Sequence, residues 1–127
     1  MSIHNISDSE LELMKIIWQK GGKALLAEIM EQLSQKGNSW QNNTVITLLS
    51  RLVEKKLLKT NKIGRKNEYR AIVSEEEYQT SQTQTLVDKL YEGKAKGLLL
   101  TLLQNNMLSD EDREELKHFW ERESEQE

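Results

Sequence analysis

No cysteine and no proline occur among the 127 residues. Without thiols there is no disulfide framework, no thiolate metal site and no thiol nucleophile, and a reducing compartment is the easiest fit. Long apolar runs are missing too. The longest, Leu98 to Leu100 extended past Thr101 to Leu102 and Leu103, falls far below the roughly 18 residues that span a bilayer. Met1, Ser2, Ile3 and His4 open the chain without a basic stretch leading into an apolar core, so no secretory signal is expected and the expected location is cytoplasmic. There is no low-complexity linker and no repeat at solenoid periods. Gly21, Gly22, Gly37, Gly64, Gly93 and Gly97 are scattered as caps and turns. They do not gather into a phosphate-cradling loop, no nucleophile and base are paired, and catalysis is not expected. His4 and His118 are the only histidines. Neither has a second ligand of the usual type at i+3 or i+4, so no metal and no cofactor are expected, and His118 reads as a surface histidine near a helix end.

What is present, 36% apolar and 31% charged residues, suits one soluble domain or two small ones folded together. The net charge of -3 hides an asymmetry. Residues 1–73 carry 12 Lys and Arg against 7 Asp and Glu, whereas residues 74–127 carry 6 against 14. Electrostatic partners respond to local fields, so the basic half is the place to look for a polyanion. Within it Lys55, Lys56, Lys59, Lys62, Arg65, Lys66 and Arg70 face only Glu68 across sixteen positions. Taken alone, that run also fits a solvated charged surface.

Ser7 and Glu10 form a capping-box pair, and Leu11, Met14, Ile17 and Trp18 recur at helical spacing until Gly21 and Gly22; this predicts a first helix. Leu25, Leu26, Ile29, Met30 and Leu33 predict a second over about 24–35, closed by Gly37 and lacking a Ser, Thr or Asp cap. Ser39 is placed to cap a third beginning near Trp40 or Gln41, in which Val45, Leu48, Leu49, Leu52 and Val53 cover one face. At about 100° per residue, the opposite face collects Asn43, Thr44, Thr47, Ser50, Arg51 and Glu54. These side chains are short and rich in donors, with a single long cation. Residues 57–63 and 68–73 then read as two short strands around a Gly64-containing turn whose tip carries Arg65 and Lys66.

Three helices followed by a basic hairpin describe a winged helix-turn-helix, whose third helix enters the major groove while the wing meets the adjacent backbone. The expected fold is mainly α with a small β-hairpin: a winged-helix domain over 1–73, then a helical dimerisation domain over 74–127. In the second half, Ser74 with Glu77 opens a helix that runs through Leu86, Val87, Leu90 and Tyr91 to Gly93. The next, about 94–105, holds Leu98, Leu99, Leu100, Leu102 and Leu103 and is apolar nearly all round. Ser109, ahead of Asp110, Glu111 and Asp112, caps a last helix with Leu116, Phe119 and Trp120 on one face. Leu86, Leu90, Tyr91, Leu98, Leu99, Leu102, Leu103, Leu116, Phe119 and Trp120 are therefore the expected dimer-forming residues. The alternative is that these leucines pack back on the protomer's own core. Trp18, Trp40 and Trp120 lie in or beside apolar faces and are expected to fill cores rather than stack on bases.

The stretch from Asn43 through Thr44, Val45, Ile46, Thr47, Leu48, Leu49, Ser50, Arg51 and Leu52 to Glu54, Lys55, Lys56, Leu57 and Leu58 resembles the recognition-helix signature of the penicillinase-repressor family. Ser9 to Trp18 resembles the family's front end, and the likeness continues through Leu90, Tyr91, Glu92, Gly93 and the leucine run. The resemblance implies a homodimeric winged-helix repressor that binds a palindromic double-stranded operator of the TACA/TGTA type, and it makes Thr44, Thr47 and Arg51 the principal groove and phosphate contacts. Their chemistry agrees: hydroxyls bond base edges or phosphates, Thr methyls touch thymine methyls, and Arg presents a bidentate fork. Asn43, Ile46, Ser50, Lys55, Arg65 and Lys66 complete the expected DNA-binding set. Ile46 departs from relatives that carry Arg or Tyr there, which leaves a thymine methyl or the protein core as its neighbour. Copper-responsive members carry a C-terminal cysteine cluster, whereas this chain ends Glu121, Arg122, Glu123, Ser124, Glu125, Gln126, Glu127. Thr101 and Leu102 stand where resistance repressors are cleaved at an Asn-Phe bond, which argues against that cleavage; an unidentified protease or inducer remains the implied partner in release. The rival reading is a winged-helix protein-interaction module without specific DNA binding, because fold alone does not fix function.

Overall fold

The computed structural model describes residues 3–125. Met1 and Ser2, part of the segment in which no secretory signal is expected, and the last two residues lie outside the described residues. The chain divides into two compact units, one running to Thr83 and the other starting at Gln84.

The first unit opens with α1 (Asp8–Gln19), whose start is fixed reciprocally: the Ser7 hydroxyl accepts from the Glu10 N–H, and the Glu10 carboxylate accepts from the Ser7 N–H. Two donors that a helix start leaves orphaned are satisfied by one pair of residues. Next come β1 (Lys23–Leu25) and α2 (Leu26–Gln35). The sequence reading extended the second helix back to Ala24. In the structure Ala24 and Leu25 pair with Tyr69 and Glu68 as a short third strand, a long-range partnership that local periodicity does not carry. The uncapped helix start is closed from inside, because the Leu25 N–H donates to the Glu28 carboxylate at 2.8 Å.

α3 (Asn42–Glu54) begins later than predicted, and Gln41 rather than Ser39 occupies its cap position, without a side-chain capping bond. The turn before it is held by Asn38, whose side-chain oxygen accepts from the Trp40 N–H. At its far end Leu57 N–H reaches back to Leu52 C=O, and Lys56 N–H to Val53 C=O. This arrangement places Lys56 at φ +66°, a left-handed position where glycine is usual.

β2 (Leu58–Ile63) and β3 (Lys66–Ala71) pair antiparallel from Leu58↔Ala71 to Ile63↔Lys66, and the sheet order is β1-β3-β2. Only Gly64 and Arg65 lie in the turn. Gly64 takes φ +62°, as the first central residue of a type II′ hairpin requires. Lys66 thus belongs to the strand rather than to the tip.

The core is built from Leu13, Met14, Ile16 and Ile17 of α1, Ile29 and Leu33 of α2, Val45, Leu48, Leu49 and Leu52 of α3, and Ala24, Leu58 and Tyr69 of the sheet, with Leu57 at the end of α3. Each such large side chain contributes about 1.5–3 kcal/mol through burial. α1 packs against α2, α3 and the sheet at once, so four of its apolar residues are buried outright while Leu11 and Trp18 remain half-exposed. α2 has only Ile29 and Leu33 fully buried.

α4 (Glu75–Tyr91) starts from a second reciprocal box, between Ser74 and Glu77. The sequence placed the change of domain at 73/74, but the opening turns of α4 belong with the first unit. The reason is Tyr78, which is buried in the winged-helix core with its ring 5.9 Å from that of Trp18. Trp18 in turn donates its indole N–H to the Val73 carbonyl at 2.9 Å.

The second unit contains the rest of α4, α5 (Ala95–Gln104) and α6 (Asp110–Glu125), the last capped by the Ser109 hydroxyl, which accepts from Asp112 N–H. Gly97 lets the Tyr91 ring lie against the α5 backbone; a Cβ there would meet the ring at 2.6 Å. The Tyr91 hydroxyl donates to Thr101, whose own hydroxyl donates to Gly97 C=O. Val87 is the one buried hydrophobic residue of this unit among the described residues. No helix among them is long and apolar enough to cross a membrane.

Candidate nucleic-acid interface

α3 is sharply two-sided because its apolar residues recur at i, i+3, i+4 and i+7. Val45, Leu48, Leu49 and Leu52 are buried; Asn43, Thr44, Ile46, Thr47, Ser50 and Arg51 are all exposed. The structure therefore brings six of the predicted contact residues onto the outward surface of one rigid helix. Ile46, whose place the sequence left between core and surface, is 39% exposed. It is the only apolar residue of that outward set.

The hydroxyls on this surface are not equivalent. Thr47 donates to the Asn43 carbonyl one turn back at 2.9 Å. Among the described residues Thr44 and Ser50 make no such bond. Their hydroxyls are free to donate to a phosphate or to a base acceptor, whereas that of Thr47 is already engaged.

Lys55 does not join the outward set. Its ammonium lies 2.8 Å from the Glu10 carboxylate, which is buried at 2% exposure. Burial pushes the Glu10 carboxyl up, but hydrogen bonds from Lys55 and Ser7 outweigh it and hold the group below its ordinary range. The second carboxylate oxygen, Oε2, is buried without a partner among the described residues. Lys55, expected among the DNA contacts, thus spends its charge on a buried carboxylate of its own protomer while its side chain stays a third exposed. A clue was legible: Glu10 lies three and four residues before Leu13 and Met14, on the face of α1 that turns inward.

On the wing, Arg65 and Lys66 are exposed. Lys23 and Lys59 flank Arg70 directly in the sheet register, giving a cross-strand row of three cations on the face opposite Tyr69. Arg70 is oriented by Glu68, its Nε 2.6 Å from the carboxylate. The hydrogen bond and charge of Arg70 keep the Glu68 carboxyl below its ordinary range. Lys23 was missed as a wing residue because β1 itself was missed.

In the second unit Leu86, Leu90, Leu99, Leu103, Leu116, Phe119 and Trp120 are exposed, and Leu98 and Leu102 are half-buried. Tyr91 is occupied inside its own unit by Gly97 and Thr101. Trp18 and Trp40 pack against the core, but Trp120 is 73% exposed and fills no core of its protomer. Among the described residues no group of three or more His, Asp or Glu side chains is placed to hold a metal ion.

The penicillinase repressor family model matches residues 6–122. The penicillinase repressor of Bacillus licheniformis is 35% identical over 114 residues, spanning 90% of this chain and 88% of that protein. The methicillin resistance regulatory protein MecI of Staphylococcus aureus is 29% identical over 116 residues, spanning 91% and 93%. Among solved structures, the monomeric form of Bacillus licheniformis BlaI in complex with the blaP half-operator superposes with a TM-score of 0.51 at 38% identity, covering 61% of this chain and 92% of that one. Two-sided α3, basic hairpin, winged-helix core and these likenesses converge: the chain belongs to the penicillinase repressor family, a family of winged-helix DNA-binding transcription regulators and not of enzymes.

Proposed function

We propose that this chain represses transcription as a cytoplasmic homodimer, each protomer laying α3 in the major groove of one half of a palindromic operator of the TACA/TGTA type while its wing follows the adjacent backbone. The observation that carries this reading is the outward surface of α3: short polar side chains with one long cation, set on a rigid helix beside a basic hairpin. Asn43, Thr44, Ile46, Thr47, Ser50 and Arg51 supply the groove-side contacts, and Arg65 and Lys66 the wing contacts. That a BlaI monomer has been solved on a half-operator supports one protomer per half-site.

The second unit supports the dimer. Its exposed large apolar residues exceed the scattered few that a monomer's surface carries without consequence. Two half-sites one helical turn apart, roughly 34 Å, also call for two copies of α3 held by twofold symmetry. Release then falls to an unidentified protease or inducer.

Binding to the chain's own promoter region, followed by footprinting and a salt titration, tests the proposal. Arg51→Ala is expected to weaken protection at least tenfold at near-physiological salt, within the roughly 1–3 kcal/mol range for loss of a bidentate contact. Unchanged affinity removes Arg51 from the interface. Weak, sequence-blind retention of DNA marks the wing as a protein-docking surface instead.

A further inference from the structure

The outward surface of α3 carries two adjacent residues, Ile46 and Thr47, whose chemistry is narrower than their residue types suggest. Ile46 is exposed without an apolar neighbour in the outward set. Thr47 lies next to it, with its hydroxyl proton directed along the helix to the Asn43 carbonyl. A phosphate oxygen, guanine O6 or N7 and thymine O4 are all acceptors, so Thr47 has no proton to give them while that bond stands. Its oxygen can still accept from a base amino group, and the methyl beside that oxygen is the group able to meet a thymine methyl.

We infer that Ile46 and Thr47 together form an apolar reader of thymine C5-methyl groups, selecting A·T pairs by methyl contact rather than by hydrogen bonding. The C5-methyl is the sole apolar feature that a base pair presents in the major groove. A desolvated methyl contact is worth about fourfold in affinity. Thr44 and Ser50, with free hydroxyls, keep the positioning role. The inference rests on the proposed entry of α3 into the major groove and adds the chemical feature it reads there.

The test uses the full-length chain and a short duplex that the chain itself enriches from a random library. That duplex is resynthesised with uracil replacing thymine one position at a time, which removes only the methyl. At one or two positions of each half-site the native chain is expected to lose about fourfold in affinity. Ile46→Ala should bind the thymine duplex more weakly and become indifferent to uracil at its position. Thr47→Val, which keeps a methyl and discards the hydroxyl, should keep the uracil penalty at its position, whereas Thr47→Ser should lose that penalty and about as much affinity as a uracil substitution costs. The opposite order, Ser retained and Val impaired, assigns the contact to the hydroxyl and overturns the inference. So does a duplex in which uracil costs nothing at any position, or a uracil penalty that Ile46→Ala and Thr47→Ser both leave intact. Failure to enrich any duplex overturns the groove reading itself, a result separable from all of these.

Discussion

Lys55, just past the last turn of α3, is tied at 2.8 Å to Glu10, in the first turn of α1. The same Glu10 oxygen also accepts from Ser7 N–H, so one buried carboxylate both starts α1 and holds the end of α3. Lys55→Met leaves that carboxylate uncompensated and is expected to cost roughly 2–3 kcal/mol; the loss sits below the usual range for broken buried pairs because the Lys55 side chain is a third exposed to screening solvent. Urea unfolding of variant and native chain measures it. Because the folded state lowers the Glu10 carboxyl, the stabilisation is complete above the ordinary carboxylate range and fades as pH falls through the lowered value. The gap between native chain and Lys55→Met should therefore be widest near neutrality and narrow in acid. A gap independent of pH would place the cost elsewhere.

At φ +66°, Lys56 occupies the left-handed turn that ends α3. A side chain in that conformation costs about 1–2 kcal/mol, and glycine escapes most of it at the expense of greater freedom in the unfolded chain. Lys56→Gly should raise stability by up to about 1 kcal/mol, visible as a higher Tm. A lower Tm would show that Lys56 makes contacts worth more than its strain.

Arg65 and Lys66 sit where Gly64 turns the hairpin back. If both meet phosphates, replacing them by alanine should flatten the dependence of log affinity on log salt by roughly 1.8, at about 0.9 per lost contact, while leaving base preference unchanged. Parallel titrations on the enriched duplex and on a scrambled one measure both. An unaltered slope would take the wing off the DNA.

Leu99 and Trp120 are well exposed in the protomer, so charged residues there burden association far more than folding. Leu99→Glu combined with Trp120→Glu is expected to yield folded monomers by light scattering and to abolish cooperative occupation of the two half-sites. A double variant that remains dimeric moves the interface away from α5 and α6.

Helices were legible in the sequence wherever a cap and an apolar stripe agreed, as at Ser7 with Glu10 or Ser74 with Glu77, because both signals are local and span only a few residues. The two-sided surface of α3 was legible for the same reason: about 100° per residue fixes which side chains share a face before any neighbour is known. β1 was not, since three residues become a strand only when β3 lies beside them. Ser39 looked like a cap, but the turn was decided by Asn38, which reached the Trp40 amide.

The order of residues by itself determined that a short-chained polar surface and a basic hairpin would coexist with an acidic half rich in leucine. Only the tertiary structure decided which of those groups are free to act. It withdrew Lys55 to a carboxylate 45 positions earlier in the chain, closed Tyr91 over Gly97, and drew the start of α4 onto the winged-helix core through Tyr78. Periodicity reports the direction in which a side chain leaves the backbone, whereas availability depends on what distant segments place against it, and that is settled only when the chain is packed.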